Sequence, residues 1–178
     1  MKKFCILFLV TLIIGISVVA LSLPTSNVQT VQTKEYLRIH IRANSNLYEE
    51  QAVKYVIKDK VIEFLTPLIA ECTDKQKAIN MLNENLLEIE KVANQTLLGY
   101  GFSYQARASV KKEDFPTRVY GELTLDAGVY DALIIELGCG KGDNWWCVVF
   151  PPLCFTESTV KYEYKSKIYQ IINNFFNK

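Results

Sequence analysis

Cys147 and His40 are the residues with which this sequence could assemble a nucleophile and its base. His40 is the single histidine of the 178-residue chain, and an imidazole beside a thiol activates it, as in cysteine hydrolases. Reactive cysteines usually lie at a helix N-terminus or beside positive charge, where the thiolate is stabilised. Cys147 lies instead among tryptophan, valine and phenylalanine in "WWCVVF". These neighbours favour a structural cysteine, buried or disulfide-bonded, and a cysteine hydrolase using Cys147 and His40 is the alternative.

A glycine-rich stretch, "GCGKGD" at residues 138–143, invites comparison with phosphate-binding loops, because glycines expose backbone amides. The P-loop pattern G-x-x-x-x-G-K-[ST] needs an earlier glycine that is absent here, and Gly142 stands where the metal-binding hydroxyl belongs. The stretch also leads into a predicted strand instead of a helix. The sequence therefore predicts a tight connection between two strands, and no cofactor is expected.

Four cysteines follow the apolar N-terminal segment, and their spacing bears on metal binding and on disulfides. Cys139, Cys147 and Cys154 follow C-x7-C-x6-C, without the close pairs typical of zinc sites, so no metal is expected. We predict a disulfide between Cys147 and Cys154. Seven extended residues span about 23 Å, whereas a disulfide needs Cα atoms within about 7 Å. The chain must therefore turn back at Pro151-Pro152.

Arg38, His40 and Arg42 alternate with leucine and isoleucine in "LRIHIR", which is the period of a half-buried strand. The pattern predicts that the three basic side chains face away from the core. In that position they could bind an anion or a carboxylate of a partner, or simply form a solvated strand face. The sequence leaves both interpretations open.

The strand predicted at "WWCVVF" has apolar side chains on both faces. Because successive side chains of a strand point opposite ways, Trp145 and Trp146 lie on opposite faces, and Phe150 shares the face of Trp146. Both faces should then be covered. The predicted helices can cover one face, and either the tail helix or the surface of a partner protein covers the other. We predict partner binding by Asp143, Asn144 and one of the two tryptophans.

Two long amphipathic helices are predicted after the first strand. A capping box formed by Asn46 and Glu49 begins an apolar helical period over residues 47–70. A second capping box, at Thr73 and Gln76, begins another period of the same kind. Both helices should pack their apolar stripe on the same sheet.

The rest of the domain has mostly the period of β-strands. Strands are predicted over residues 102–111, 119–125, 129–138 and 145–150, and an apolar stripe at about residues 160–177 predicts a last helix. The fold class is therefore α+β. It consists of an antiparallel or mixed sheet of about five strands with two long amphipathic helices on one face, a C-terminal helix and an N-terminal membrane-targeting helix.

The first residues, "MKKFCILFLVTLIIGISVVALSL", join a basic start to an apolar run and predict a membrane-targeting segment. Residues 1–23 are either a cleaved signal peptide or an anchor, because about twenty apolar residues suffice to span a bilayer. Residues 24–34 form a polar linker, residues 35–156 a single α+β domain and residues 157–178 a helical tail. Without the two lysines of the leader, the chain has 18 basic and 19 acidic side chains. This balance of charge gives no reason to expect nucleic-acid binding.

Four segments carry a resemblance to a known family: "LRIHIRANSN", "EEQAVKYVIKDKV", "KEDFPTRVYGELTLDAGVYDALIIELG" and "GKGDNWWCVVFPPLCF". The sequence closely resembles the stage II sporulation protein R family of endospore-forming bacteria. The segments follow one another over most of residues 37–155, and the last one is long and unusual in composition, which makes the match specific. Cys139 and the lysine-rich tail are not features of the family, so no role is transferred to them.

The resemblance implies a signalling protein and not an enzyme, without catalytic residues or a cofactor. Similar proteins are made in the forespore, exported into the space between the forespore and mother-cell membranes, and trigger a membrane-embedded aspartic protease there. That protease then processes the inactive precursor of the mother cell's early sigma factor. The implied partner is the extracytoplasmic part of the protease, and the N-terminal segment meets the membrane during export or as an anchor. A cell-envelope cysteine hydrolase stays open as the alternative.

Overall fold

The computed structural model describes residues 35–156 and 162–177. The predicted leader at residues 1–23, the linker at residues 24–34 and the beginning of the tail lie outside these ranges. Within the described ranges, no helix is both long and apolar enough to span a membrane.

In the part of the chain that the structure describes, four strands form one mixed sheet, and two further strands form a separate hairpin. The strands are β1 Leu37–Arg42, β2 Ala106–Phe115, β3 Arg118–Tyr120, β4 Leu123–Leu125, β5 Gly128–Leu137 and β6 Asn144–Phe150. The order in the sheet is β2-β5-β1-β6, and the hairpin consists of β3 and β4. The strand β1 runs parallel to β5 and antiparallel to β6, and β2 is antiparallel to β5.

The α+β class with a mixed sheet is confirmed, but within the described residues the sheet has four strands and not about five. Residues 119–125 were predicted as a single strand. The chain instead turns back at Gly121, whose φ of 61° lies in the left-handed region that favours glycine. The resulting β3–β4 hairpin packs on the sheet, where Leu125 is fully buried in a cluster with Tyr130 of β5.

Four α-helices and one short 3-10 helix complete the described part of the chain. They are α1 Tyr48–Ile69, α2 Lys75–Glu84, α3 Leu86–Gly99, the 3-10 helix Leu153–Phe155 and α4 Tyr162–Phe176. The long helix predicted after α1 is divided into α2 and α3 at Asn85. The Asn85 side-chain amide donates to the carbonyl oxygen of Met81 at 2.8 Å, and its backbone leaves the helical region. Asparagine often competes with the helix for backbone hydrogen bonds in this way.

Neither predicted capping box forms. The helix α1 begins after Leu47, which makes no side-chain cap. Asn46, the predicted cap residue, does not cap the helix, because its side chain is bonded elsewhere. The helix α2 begins after Asp74, whose Oδ1 accepts a hydrogen bond from the Lys77 amide at 2.9 Å. The Thr73 hydroxyl donates to the Asp74 carboxylate instead of capping the helix itself.

The main core lies between one face of the sheet and the helices α1, α2 and α3. Leu37, Ile39 and Ile41 of β1 are buried there, as their alternation predicts. Burying an aliphatic side chain of this size contributes roughly 1.5–3 kcal/mol, so the helix-facing stripe secures the position of β1. The helices supply Val53, Ile57, Val61, Leu65, Ile69, Ala78, Leu82, Ile89, Ala93 and Leu97 to this core.

The opposite face of the sheet is covered as well. Its buried cluster consists of Tyr36, Phe115, Leu125, Tyr130, Ala132, Ile134 and Val148. The sequence predicted that the tail helix or a receptor covers this face. The structure shows that the β3–β4 hairpin supplies much of the cover, and that α4 contributes the side chain of Phe175.

A bulge near the end of β6 changes the face of its last residue. Phe150 pairs with Leu37 and Val148 pairs with Arg38, so β6 has one residue more than β1 between these two pairs. Phe150 therefore joins the helix-side core. The prediction that Phe150 shares the face of Trp146 is wrong.

The C-terminal helix α4 packs on the domain. Ile168 is fully buried in the helix-side core. The ring centroid of Phe175 lies 5.4 Å from that of Tyr36 and 6.2 Å from that of Phe150. The helix α4 thus contacts both the beginning of the domain and the end of β6.

Candidate partner-binding surface

The pairing of β1 with β6 brings the two groups of predicted site residues together. His40 lies opposite Trp146, and Arg42 lies opposite Asn144. Because β6 is an edge strand and β1 its neighbour, all the predicted residues lie on or next to two strands at one side of the sheet. These residues are Arg38, His40, Arg42, Asp143, Asn144, Trp145 and Trp146. Partner binding by them stays a prediction.

Arg38 is fully buried, so the prediction that it faces solvent is wrong. Its guanidinium carbon lies 4.2 Å from the ring centroid of Phe115 and 4.8 Å from that of Tyr130. Its Nη2 donates a hydrogen bond of 2.9 Å to the hydroxyl of Tyr120, in the β3–β4 hairpin. The physical reason for the error is this hairpin, which covers the sheet face that the strand period predicted to be exposed to solvent.

His40 is also fully buried, against the same prediction. Its ring stacks on Trp146, with centroids 4.7 Å apart and an interplanar angle of 24°, and lies 5.3 Å from the ring of Phe115. Burial, followed by the charge of Arg42, lowers the pKa of His40 to about 4. His40 is therefore neutral at neutral pH and behaves as an aromatic core residue.

Arg42 is half-buried and already paired with two carboxylates. Its guanidinium forms salt bridges of 2.8 Å with Glu113 of β2 and with Glu136 of β5. Burial alone would raise the pKa of Glu113, but Arg42 and Lys111 outweigh this effect and hold that pKa below its ordinary value. Arg42 thus links β1 to β2 and β5 through its salt bridges. Its guanidinium is therefore not free to bind another anion.

The glycine-rich loop before β6 is clamped to the beginning of α1. The backbone amide of Asp143 donates to Asn46 Oδ1 at 2.6 Å, and the buried Lys54 Nζ donates to the Asp143 carbonyl oxygen at 2.9 Å. A Cβ on Gly142 would stand 2.2 Å from the carbonyl oxygen of Ser45, so only glycine fits there. These contacts favour the interpretation of a tight connection between strands.

The two tryptophans at the beginning of β6 lie on opposite faces and are both half-buried. Trp145 borders the helix-side core, and Trp146 borders the cluster under the hairpin. The ammonium of Lys58, in α1, lies 5.9 Å from the ring centroid of Trp145. The guanidinium carbon of Arg118, in β3, lies 5.6 Å from the ring centroid of Trp146. Each tryptophan is therefore accompanied by a cation.

Cys147 and Cys154 form a disulfide, with Cα atoms 6.1 Å apart. The chain turns back between them at Pro151-Pro152, after a cis peptide bond between Phe150 and Pro151. The Cys147 side chain belongs to the helix-side core, whereas His40 packs on the other face of the sheet. The nucleophile and base pair required for the cysteine hydrolase alternative is therefore not assembled.

The other two described cysteines have different surroundings. Cys72 is buried and Cys139 is exposed, and both are free thiols. Burial raises the pKa of the Cys72 thiol to about 11, so it is not a reactive thiolate at neutral pH. The backbone amide of Cys139 donates to Asn44 Oδ1 at 2.9 Å, which helps to hold the glycine-rich loop.

Sequence reasoning missed several residues that build this surface. From the sequence, Asn46 was predicted as a helix cap and Lys54 as part of the first helix. Neither was expected to contact the loop before β6. Tyr120 and Arg118 reach the sheet only because the hairpin folds over it. A single signal could have found the hairpin, namely Gly121 in the middle of an otherwise regular strand pattern, where an isolated glycine often marks a turn or bulge.

The fold and the site together define a small α+β domain with a mixed sheet. Its edge strand is closed by a disulfide at one end and lined by two tryptophans at the other. The chain belongs to the stage II sporulation protein R family, whose sequence profile matches residues 33–160. This match confirms the resemblance carried by the four segments.

One relative illustrates the extent of the similarity. Stage II sporulation protein R of Bacillus subtilis (strain 168) is 33% identical over 145 residues, which are 82% of this chain and 65% of the relative. The chain therefore spans just under two thirds of the length of this curated relative. No solved structure matches the chain.

Proposed function

We propose that this chain is an exported sporulation signal that activates a membrane-embedded aspartic protease. It is secreted from the forespore into the intermembrane space and binds the extracytoplasmic part of the protease. The activated protease then processes the precursor of the mother cell's early sigma factor. The observation that carries the proposal is the family match over residues 33–160, which includes nearly all of the described domain.

Activation of this kind needs no catalytic group on the activator. A ligand shifts a conformational equilibrium whenever it binds one state more tightly than the other. A preference of about 10⁴-fold moves a two-state equilibrium from 1:99 to 99:1. A rigid domain with one distinctive surface is sufficient for this, and the separation of Cys147 from His40 leaves no observation that favours the hydrolase.

The disulfide supports an extracytoplasmic location. Disulfides persist in oxidising compartments and are rare in the cytosol, and Cys147 and Cys154 are bonded in this domain. The basic and apolar leader at residues 1–23 supplies the export signal in this proposal.

Reconstitution in a non-sporulating bacterial host tests the proposal. The full chain, the protease and the sigma-factor precursor would be expressed together, and precursor cleavage would be followed by immunoblotting. We expect cleavage when all three are present, and none when the chain is omitted or when the protease lacks its catalytic aspartate. Equal cleavage with and without the chain would contradict the proposal.

A binding experiment complements the reconstitution. The exported chain should co-purify with the extracytoplasmic part of the protease, and cross-link mapping should then identify the contact surface. Cleavage without detectable binding would argue that the activation is indirect.

A further inference from the structure

The two edges of the sheet are protected to different degrees. At the β2 edge, the backbone amides of Ala106 and Ala108 donate to side chains of helix α3. The acceptors are Asn94 Oδ1 at 2.6 Å and Glu90 Oε1 at 2.8 Å. The exposed pair Lys111-Lys112 follows on the same strand. Side-chain hydrogen bonds and lysines are common means of protecting an edge strand from pairing with other chains.

Among the residues that the structure describes, the β6 edge is protected at one end only. The backbone amide of Val148 points away from β1 and donates to Cys154 Sγ at 3.1 Å. Backbone groups alternate in direction along a strand, so the amides and carbonyls of Trp146 and Asn144 also point away from β1. Within residues 35–156 and 162–177, no hydrogen bond to the backbone of these two residues is present on that side.

Residues 144–146 of β6, here named the Trp edge, also lack the usual protective devices. The segment has no charged residue and no proline, and the bulge of β6 lies at the other end of the strand. Open edges with apolar side chains are templates for an additional strand. Trp145 and Trp146 stand on either face of this template, and each is half-buried. An added strand would therefore complete the burial of both rings.

We propose that the Trp edge accepts an extended segment of a partner protein as a fifth strand of the sheet, and that this segment carries carboxylates. The partner identity rests on the proposed function, in which the segment belongs to the protease. The chemistry of the segment follows from the cations beside the two tryptophans. Successive side chains of the added strand alternate between the Trp145 face and the Trp146 face. Carboxylates on the Trp146 face would meet Arg118, which forms no ion pair within the described ranges.

The cations at the Trp edge also argue against a second copy of this chain as the occupant. Two β6 strands paired antiparallel around Trp146 would place the Arg118 side chains of both copies on the same face. The two exposed guanidinium groups would repel each other there. Lys58, on the other face, is already paired with Asp59 at 2.6 Å, so Arg118 is the stronger determinant of the preference for acid.

Replacing Asn144 by proline removes one outward amide and leaves both tryptophans in place. Proline is tolerated at the first residue of an edge strand when the lost amide faces outward. The matched control is Asn144→Ala, which keeps the backbone amide. We expect Asn144→Pro to weaken binding of the exported chain to the extracytoplasmic part of the protease at least tenfold, with an unchanged melting temperature. Both variants lack the Asn144 side chain, so Asn144→Pro should bind at least tenfold more weakly than Asn144→Ala because of the missing backbone amide alone.

A second arm uses synthetic peptides and does not depend on the protease. An extended peptide of alternating threonine and glutamate should slow hydrogen exchange at the Trp146 amide, and the threonine and lysine counterpart should not. Arg118→Glu should reverse this preference, whereas Lys112→Glu, a charge reversal at the other edge, should leave it unchanged.

The outcomes distinguish this inference from the function on which it rests. If the protease binds Asn144→Pro and Asn144→Ala equally, or if neither peptide protects the Trp146 amide, the added strand is wrong while the activator function stands. If the acidic peptide protects Trp146 but the protease does not bind the unmodified chain, the proposed function fails. Concentration-dependent protection of Trp146 without any peptide would show that a second copy occupies the edge, which also overturns the inference.

Discussion

Arg38 shows how a charged side chain can be buried in this fold without a carboxylate. Its guanidinium lies between the rings of Phe115 and Tyr130 and donates one hydrogen bond to Tyr120. Its Nε and Nη1 have no hydrogen-bond partner within the described residues. Aromatic faces attract a guanidinium electrostatically and stack well on its plane. Stacking therefore takes the place of an ion pair at this position.

Replacing Arg38 by methionine should leave the free energy of unfolding unchanged or raise it by about 1 kcal/mol. Methionine fills the slot between the two rings, and no charge has to be desolvated on folding. Arg38→Ala should instead lower the free energy of unfolding by roughly 2–3 kcal/mol, because it leaves a cavity. Urea denaturation measures both variants. A loss on Arg38→Met as large as on Arg38→Ala would show that the charge itself stabilises the fold.

His40 makes the stability of the domain depend on pH. Its pKa of about 4 in the folded state lies below the ordinary unfolded value of about 6.5. The part of the free energy of unfolding that depends on His40 is fully present above pH 6.5. It is lost as pH falls towards 4, because the unfolded chain binds the proton more readily than the folded chain does. The loss should approach about 3 kcal/mol.

The control for this prediction is His40→Phe, which keeps a ring on Trp146 but cannot titrate. The free energies of unfolding of the two proteins, measured by denaturation at each pH, should differ by a constant amount above pH 6.5. Below that pH they should diverge, with the unmodified chain losing more stability. Parallel pH profiles down to pH 4 would contradict the burial of His40.

At the scale of the element, we expect the two tryptophans of β6 to differ in what their loss does to the fold and to recognition. Trp146 stacks on His40 and lies 4.8 Å from the ring of Phe115, so Trp146→Ala should lower the free energy of unfolding by about 3 kcal/mol. Trp145→Ala should cost about 1 kcal/mol and still abolish activation of the protease. Thermal melts and precursor cleavage separate the two effects. Loss of the fold in both variants would move recognition away from β6.

The corner after β6 depends on its disulfide. Cys147 and Cys154 are seven residues apart, and closing a loop of this size stabilises a protein by roughly 2–3 kcal/mol. The double substitution of both cysteines by alanine should cost about that much in denaturation experiments. Cys139→Ser, which changes an exposed free thiol, is the control and should have no effect. Two free thiols at Cys147 and Cys154 in intact mass spectrometry of the exported chain would refute the bond.

At the scale of the whole molecule, the leader should act as an address and the domain as the signal. We expect that replacing residues 1–23 by an unrelated secretion signal preserves activation of the protease, because the domain has its own core. A version without any export signal should fold and yet leave the sigma-factor precursor uncleaved in sporulating cells. Activity of that cytoplasmic version would contradict the proposed route.

The sequence by itself determined the class of the fold, because short-range periodicity reflects which face of an element is buried. The helix-facing residues Leu37, Ile39 and Ile41 were predictable for this reason. So was the part of β2 that the predicted strand includes, residues 106–111. The spacing of Cys147 and Cys154 around Pro151-Pro152 is equally local. The four segments that identify the family were also readable without coordinates.

Only the tertiary structure decided what covers the second face of the sheet. Arg38 and Tyr120 are 82 residues apart in sequence, and no local pattern shows that the hairpin folds over the basic side chains of β1. For the same reason the sequence assigned Asn46 to a helix cap, although it bonds to Asp143, 97 residues further along the chain. Periodicity reports that a side chain is apolar or polar. Whether a polar side chain meets water or a distant ring depends on packing between elements, and that placed His40 against Trp146.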